Sequence, residues 1–483
     1  MKTLSNQFCL DILDLEVKLS RALLNLVFAL CSYQAAQSVV ELSLSPIYRY
    51  EHTSIYKVIE RLAKDSRMYT ECQSAILQLC LRYLCLASNK RIRLQTDVTP
   101  LLKPHSPSLA DRQYVKVSNS VIKGNKPISI GYPLSCIHWS AEYKWSLPLV
   151  RSRVSSEQTA SSLAVEQLES LLEVLEEQLD LELIINTADS AYTQASYLCP
   201  LYEKENLVNI TRFRYGTKVY TAATGDNPTG AKKVYDKEFH LRDATRTITG
   251  KAAKTGKAYE KEQISIFDLP HSEKQFLDTQ TTKGKALHIE LYRWNGLKMR
   301  SKNGHNMKHK AFDLLGVKVF DATSKKLVFK RTMFVCIFGK KRAKVTTREA
   351  YWDYRHRYDI EPSFRFNKQK LFLDSYGGES VQHIDNFLLV NQLANWLLYL
   401  AADEVQFVPR KWEKKSQKTT RLSIAKTRRS TESLFLTFDE TPFLPQSTNK
   451  GKGRIKTKTK KYKVVKKANI AKKKRKKRAD LAK

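Results

Sequence analysis

Residues 351–370 read YWDYRHRYDIEPSFRFNKQK, and the fold of the chain is decided by how this stretch is read. It sets Tyr354, Arg357, Glu361 and Lys368 at offsets 0, 3, 7 and 14. At roughly 100° per residue these four fall within about 60° of one another on a helix. Two readings fit such a face. One is a charged, solvated surface laced by i, i+3 and i, i+4 ion pairs. The other is a face for phosphodiester chemistry, on which a carboxylate holds a divalent cation while neighbouring cations hold the phosphate backbone. Pro362 follows Glu361 directly and removes a helix hydrogen bond. The helix therefore either kinks there or gives way to a new one starting at Pro362, and Lys368 can leave the shared face.

The spacing Tyr, two residues, Arg, three residues, Glu, six residues, Lys resembles the signature that closes the active site of bacterial insertion-sequence DDE transposases. That resemblance implies that Glu361 is the third acidic metal ligand and that Tyr354, Arg357 and Lys368 contact DNA near the reacting strand. It also demands two aspartates upstream, each at the end of a buried strand.

Both are present. In RIRLQTDVTP, residues 91–100, an alternating strand over Ile92–Val98 ends in Asp97, and Pro100 cannot continue the ladder. A lone Asp before a turn is ordinarily a turn residue; the DxT pattern here resembles the first acidic motif of the same transposases. LELIINTA, residues 181–188, reads as a buried strand that ends at Asp189, and the ADSAY context resembles the second acidic motif. Further strands are expected at Pro127–Trp139, Trp145–Val150 and Asn206–Phe213, with a long amphipathic helix over Ser155–Asp180 whose outer glutamates face solvent. The order strand, strand, strand, helix, strand fits the ribonuclease-H-like fold that the resemblance implies. Arg212 and Arg214 stand at the end of the last strand, placed to hold a DNA backbone.

The expected fold is α/β. A ribonuclease-H-like catalytic core at 90–213 and 314–405 is interrupted by a mainly β insertion domain at 214–313, with a helical N-terminal domain at 1–89 and a basic disordered C-terminal tail at 406–483. The insertion is what the resemblance implies for the long span between Asp189 and Glu361, where the chain is rich in Gly, Lys and Thr. Strands are expected within and after it at Leu287–Trp294, Leu314–Phe320 and Lys326–Phe338, and a closing apolar helix at Val381–Asp403. Within the insertion, Trp294 lies beside a basic cluster from Lys298 to Lys310. An exposed Trp there would stack on an unpaired base, while a strand Trp is more often core.

Two further DNA-facing stretches are open to a plainer reading. Lys123 and Lys126 in KGNKP are either phosphate contacts or part of a solvated loop. In the N-terminal helices, the break around Pro46 followed by a cap at Thr53 or Ser54 is either a helix-turn-helix or an ordinary helical hairpin.

Composition supports a polyanionic partner. The 483 residues carry 84 Lys+Arg against 48 Asp+Glu, a formal charge of +36. From Lys450 onward there are 18 basic residues and a single acidic one, Asp480, a tract that binds polyanions without reading sequence. The eight cysteines form no CxxC pair and no zinc spacing with His, so they read as reduced thiols. The longest apolar run, Ala22–Cys31, is interrupted by Asn25 and falls short of the ~20 residues of a membrane span. No membrane partner is expected, and the location implied is the cytoplasm, on the nucleoid.

By resemblance, Asp97, Asp189 and Glu361 bind two Mg²⁺ ions, for which Mn²⁺ can substitute. The partner is double-stranded DNA, both the inverted-repeat ends and the target, and synapsis of two ends implies a homodimer. The competing readings are a catalytically inactive, transposase-derived DNA-binding protein and a nuclease of the same fold acting on RNA.

Overall fold

The computed structural model describes residues 3–15, 20–84, 90–117, 127–223, 233–251, 258–281, 283–407, 409–413, 421–436 and 461–465. Its helices in chain order are α1 (Leu4–Leu13), α2 (Ser20–Ser32), α3 (His52–Leu62), α4 (Ser66–Arg82), α5 (Ala160–Gln178), α6 (Ala195–Leu201), α7 (Thr347–His356), α8 (Ile360–Lys370), α9 (Val381–Ala401), α10 (Ile424–Ser430) and α11 (Glu432–Leu436). Its strands are β1 (Arg91–Leu102), β2 (Gln113–Lys116), β3 (Ile128–Ser140), β4 (Ser146–Arg153), β5 (Leu183–Ala188), β6 (Leu207–Arg212), β7 (Lys218–Ala222), β8 (Tyr235–His240), β9 (Arg246–Lys251), β10 (Ala258–Gln263), β11 (Glu273–Gln280), β12 (Ala286–Lys298), β13 (Ala311–Asp321) and β14 (Met333–Phe338). The chain divides into two units. One holds Met1–Cys85, Asp97–Leu163 and Asp359–Lys483, and the other holds Leu86–Thr96 and Ala164–Tyr358.

The first unit is built around α9. That helix is buried almost all round from Ile384 to Ala401, and α1, α2, α3, α4 and α10 pack on it, as does β4. A helix without a polar face must still satisfy its polar side chains, and α9 does so by giving each buried amide a carbonyl. Asn386 donates to Ile59 O at 2.7 Å and Ala63 O at 2.8 Å, tying down the end of α3. Gln392 donates to Leu149 O at 3.1 Å. Arg151 of β4, only 2% exposed, donates to Asn391 Oδ1 at 2.9 Å and to Leu388 O at 2.8 Å. Burial pulls this guanidinium down to about 10, still far above neutral pH, so a full positive charge is solvated by amides and carbonyls.

The strands of this unit are β2 and β4, both antiparallel to β3, and the second half of β1 beside β3. Gly131 of β3 is needed where β1 passes: a Cβ there would stand 2.0 Å from Leu101 O. The segment around Val465 bridges to Gln113 at the edge of β2. Lys103, just past β1, is buried and donates to the carbonyls of Leu373, Asp374 and Tyr376.

The second unit is a large mixed sheet with α5 and α7 among its helices. The first half of β1 runs parallel to β5, from Arg91 opposite Leu183 to Thr96 opposite Ala188, and β5 runs parallel to β6. Antiparallel β14, β13 and β12 follow. The far side of β12 takes β11 along its length and β7 at Lys298, with β8 beyond. Alternate residues such as Ile185, Ile210, Val335, Val317 and Ile289 point to one face, where Ala350, Tyr351 and Tyr354 of α7 close the core. Helix α7 starts in a capping box between Thr346 and Glu349. A mixed α/β sheet of this kind is consistent with a ribonuclease-H-like core.

Four elements differ from the sequence expectation. Within the tail expected to be disordered from 406, α10 and α11 form and bury Thr427, Arg428 and Phe435, and the Arg428 guanidinium donates to Leu30 O and Tyr33 O, each at 2.8 Å. Strand β1 does not stop at Val98 but runs through Pro100 to Leu102. Leu102 N–H points to Asp374 Oδ1 while Lys103 N–H bonds Ile130 O of β3. By alternation position 100 faces away from β3, and the donor that proline lacks is not missed there. Residues 326–332 are not strand, and β14 starts only at Met333. Helix α3 begins at His52 behind Glu51, because the Ser54 hydroxyl is used otherwise, on Glu51 O at 2.6 Å. Among the described residues no helix is long and apolar enough to cross a membrane.

Candidate functional site

Asp189 follows β5, all six residues of which are buried. Its Oδ1 accepts the Ala191 N–H at 2.7 Å and its carbonyl accepts the Tyr192 N–H at 3.2 Å. The carboxylate is thus aimed by the turn that ends its own strand. In the same unit Tyr354 of α7 is nearly buried, and the Arg357 guanidinium lies 5.8 Å from its ring centroid. Burial pushes the Tyr354 phenol up; Arg357 and Arg212 pull it back, and Asp189 adds to the rise. Asp189, Arg212, Tyr354 and Arg357 therefore share one electrostatic neighbourhood, four of the residues singled out in the sequence.

Beside Asp189 opens a cavity of about 360 Å³ lined by Ser190, Arg212, Phe213, Arg214, Tyr215, Arg331 and Thr332. Arg212 and Arg214, at the end of β6 and just past it, both line this cavity. Arg331 is the member that sequence reasoning missed. It lies in KKLVFKRT, residues 325–332, with nothing in pattern or spacing to set it apart from its neighbours, and only the pairing of β14 with β6 brings it to the wall.

In the first unit, Asp97 is half-buried on β1 and its Oδ1 accepts the Val98 N–H at 2.8 Å. Lys368 of α8 reaches the same strand, donating to Thr99 Oγ1 at 2.7 Å and Pro100 O at 2.6 Å. Asp97 and Lys368 both act on the buried Cys136 thiol. Burial above all raises that thiol, to about 12 in all, with Arg151 and Lys368 pulling it down and Asp97 adding to the rise. Burial lowers the Lys368 ammonium itself, against the pull of Asp374 and Cys136. Glu361 stands in the first turn of α8.

The single helical face drawn through Tyr354, Arg357, Glu361 and Lys368 is not formed. Tyr354 lies on α7, Arg357 opens a 3₁₀ turn over Arg357–Asp359, and Glu361 and Lys368 lie on α8. Pro362 is the cause. It sits at the third position of α8, where its missing N–H costs nothing, and it disfavours a continuous helix through Glu361.

Trp294 is also corrected. It is 1% exposed, and its indole N–H is donated to Leu269 O at 2.9 Å. Gly316 on neighbouring β13 makes the room, since a Cβ there would come within 3.0 Å of the ring. The side chain is core and does not present a face to a base. Lys123 and Lys126 lie outside the described residues.

Among the described residues no three His, Cys, Asp or Glu side chains stand close enough together to hold a metal ion. Asp97 and Glu361 belong to the first unit and Asp189 to the second. As a donor set, three carboxylates suit a hard divalent cation, and the two aspartates each have one oxygen fixed by a backbone N–H.

The family described as DDE superfamily endonuclease matches residues 14–266, more than half of the chain. The matched span takes in Asp97, Asp189, Arg212 and Arg214, and ends before Tyr354, Arg357, Glu361 and Lys368. Comparison with curated proteins finds no match.

Proposed function

We propose, for a chain that belongs to the DDE superfamily endonuclease family, metal-dependent cleavage of double-stranded DNA at the ends of an insertion sequence and transfer of those ends into target DNA. One observation carries the reading. Thr96 and Ala188 form the last pair between parallel β1 and β5, the residue that follows each in the chain is an aspartate, and the family match spans both.

In this reading Asp97, Asp189 and Glu361 hold Mg²⁺, with Mn²⁺ able to replace it. When bound, a pair of such ions supplies an activated water or 3′-hydroxyl and neutralises charge on the leaving oxygen. The chain's own side chains bind and orient. Arg212 and Arg214 take phosphate oxygens of the strand beside Asp189. Arg357, stacked on Tyr354, presents its guanidinium in the same neighbourhood. Lys368 braces β1 just past Asp97, and Lys123 and Lys126 add phosphate contacts.

Residues 1–89 serve end recognition, 214–313 are an insertion into the core, and the basic tail at 406–483 neutralises flanking DNA. A homodimer on DNA holds two ends together, in the cytoplasm of a bacterium.

The test is a plasmid carrying the gene with its native flanks, incubated with purified protein and Mg²⁺ or Mn²⁺. The reading predicts cuts mapping to the flanks and joined products with a second plasmid. Salt-sensitive DNA binding without any cut would mark an inactive, transposase-derived binding protein. Cleavage of RNA in preference to duplex DNA would mark a nuclease acting on RNA.

A further inference from the structure

The Arg331 wall carries an inference that rests on the nuclease reading and deepens it. We infer that the cavity lined by Arg212, Arg214 and Arg331 seats a phosphodiester group of the bound DNA strand, with Arg331 as its third guanidinium.

Three exposed guanidinium groups converge on this cavity from separate stretches of chain. Among the described residues none of the three has a carboxylate partner. Like charges gathered at one opening repel one another, and an anion relieves that repulsion. Arginine is the side chain best matched to a phosphate, through paired N–H donors in a planar fork.

The wall is also built to hold its shape. The Tyr215 ring has the Arg331 guanidinium 4.8 Å and the Arg242 guanidinium 5.5 Å from its centroid. The Tyr215 hydroxyl donates to Asp243 Oδ2 at 3.2 Å, and the Thr332 hydroxyl and backbone N–H also go to Asp243. Asp243 thus spends its carboxylate on Tyr215 and Thr332 rather than on the three arginine heads. Gly216, at φ +83°, lets the chain turn beneath Arg242, where a Cβ would come within 3.0 Å of the guanidinium. Ser190 in the wall directly follows Asp189, so a phosphate seated here lies on the strand next to that carboxylate.

The experiment measures anisotropy of a fluorescein-labelled DNA duplex, made from the native flank of the gene, with the full-length protein in EDTA across a KCl series. Wild type is compared with Arg331→Gln, Arg331→Lys and Arg246→Gln. The last removes an equal charge from β9, where Arg246 Nε bonds Gln263 Oε1. Arg331→Gln is expected to weaken binding about tenfold and to lower the magnitude of the salt slope by about 0.9. Arg331→Lys is expected to keep the slope while losing part of the affinity, and Arg246→Gln to change little. Thermal unfolding of each variant separates a lost contact from a lost fold.

Equal losses for Arg331→Gln and Arg246→Gln would overturn the inference, since any charge would then serve. Cleavage is scored separately with Mg²⁺. Normal flank-specific cutting with an insensitive Arg331 removes the phosphate seat and keeps the nuclease. A selective Arg331 effect on binding with no cutting by wild type keeps the seat and removes the nuclease.

Discussion

The Lys368 ammonium donates to the Thr99 hydroxyl at 2.7 Å, and through a second proton to Pro100 O at 2.6 Å, so α8 is bolted to β1 two and three residues after Asp97. A lysine with two donors engaged on the protein is a brace before it is a DNA contact. Lys368→Met is expected to cost ~2 kcal/mol of stability and Thr99→Val ~1 kcal/mol. A double-mutant cycle by chemical denaturation should show coupling on the order of 1 kcal/mol. Additive losses would mean that the two side chains do not work together.

Asp313 of the second unit is a buried anion paired with Arg293 at 2.7 Å and Arg342 at 3.0 Å, its side chain 6% exposed. Removing one member of such a cluster leaves buried charge uncompensated. Asp313→Ala should destabilise the protein by ~3–5 kcal/mol, read as a drop in the midpoint of chemical unfolding. An unchanged midpoint would show the cluster to be solvated.

Gly131 meets the backbone of β1, and a backbone oxygen cannot swing aside as a side chain can. Gly131→Ala would place a Cβ 2.0 Å from Leu101 O and should cost at least ~1–3 kcal/mol as β3 and β1 are forced apart. The same change at Gly296, where φ is +72° and no atom stands near, should cost only the ~1 kcal/mol of a left-handed residue.

The Cys136 thiol supplies a pH signature. Burial raises it from 9.0 to about 12 in the folded chain, so unfolded molecules ionise first as pH rises. The stability this group contributes is complete below pH 9 and is lost as pH climbs from 9.0 towards about 12. Cys136→Ala should flatten the alkaline fall in unfolding free energy relative to wild type, with little effect on its slope at neutral pH. An identical alkaline slope would place the thiol in contact with water.

Much of this arrangement is legible in the sequence, for physical reasons that differ by element. Strand β5 is legible from the apolar Leu183, Ile184 and Ile185 that open it, whereas the partners of its buried Asn186 and Thr187, among them Tyr197, Asn209 and Leu94 O, are not. Helix α9 is legible from its apolar length, whereas its buried Asn386, Asn391, Gln392 and Asn395 are not. Read alone they suggest a wet face; what satisfies them, Arg151, Asn367 and the carbonyls of Ile59, Ala63, Leu149 and Leu371, comes from other elements of the chain. Pro100 does not end β1, because proline breaks a ladder only when its missing donor faces a partner strand. Trp294 was ambiguous for lack of a view of Gly316, whose bare Cα on the adjacent strand makes the indole's slot. Arg331 carries no signal, since only the folded sheet sets residues 212 and 331 on one wall.

The most direct test of the account is metal-dependent cleavage of flank-bearing plasmid by wild type against Asp189→Asn and Asp97→Asn, each shown by thermal unfolding to be folded. With Mg²⁺, the account predicts flank cuts by wild type. In either variant the loss should exceed the roughly 10- to 100-fold that follows removal of a group merely hydrogen-bonded to a metal ligand, while salt-dependent DNA binding persists. Cleavage by either variant at the wild-type rate would contradict the account, because the aspartates that follow Thr96 and Ala188 would then have no part in the chemistry.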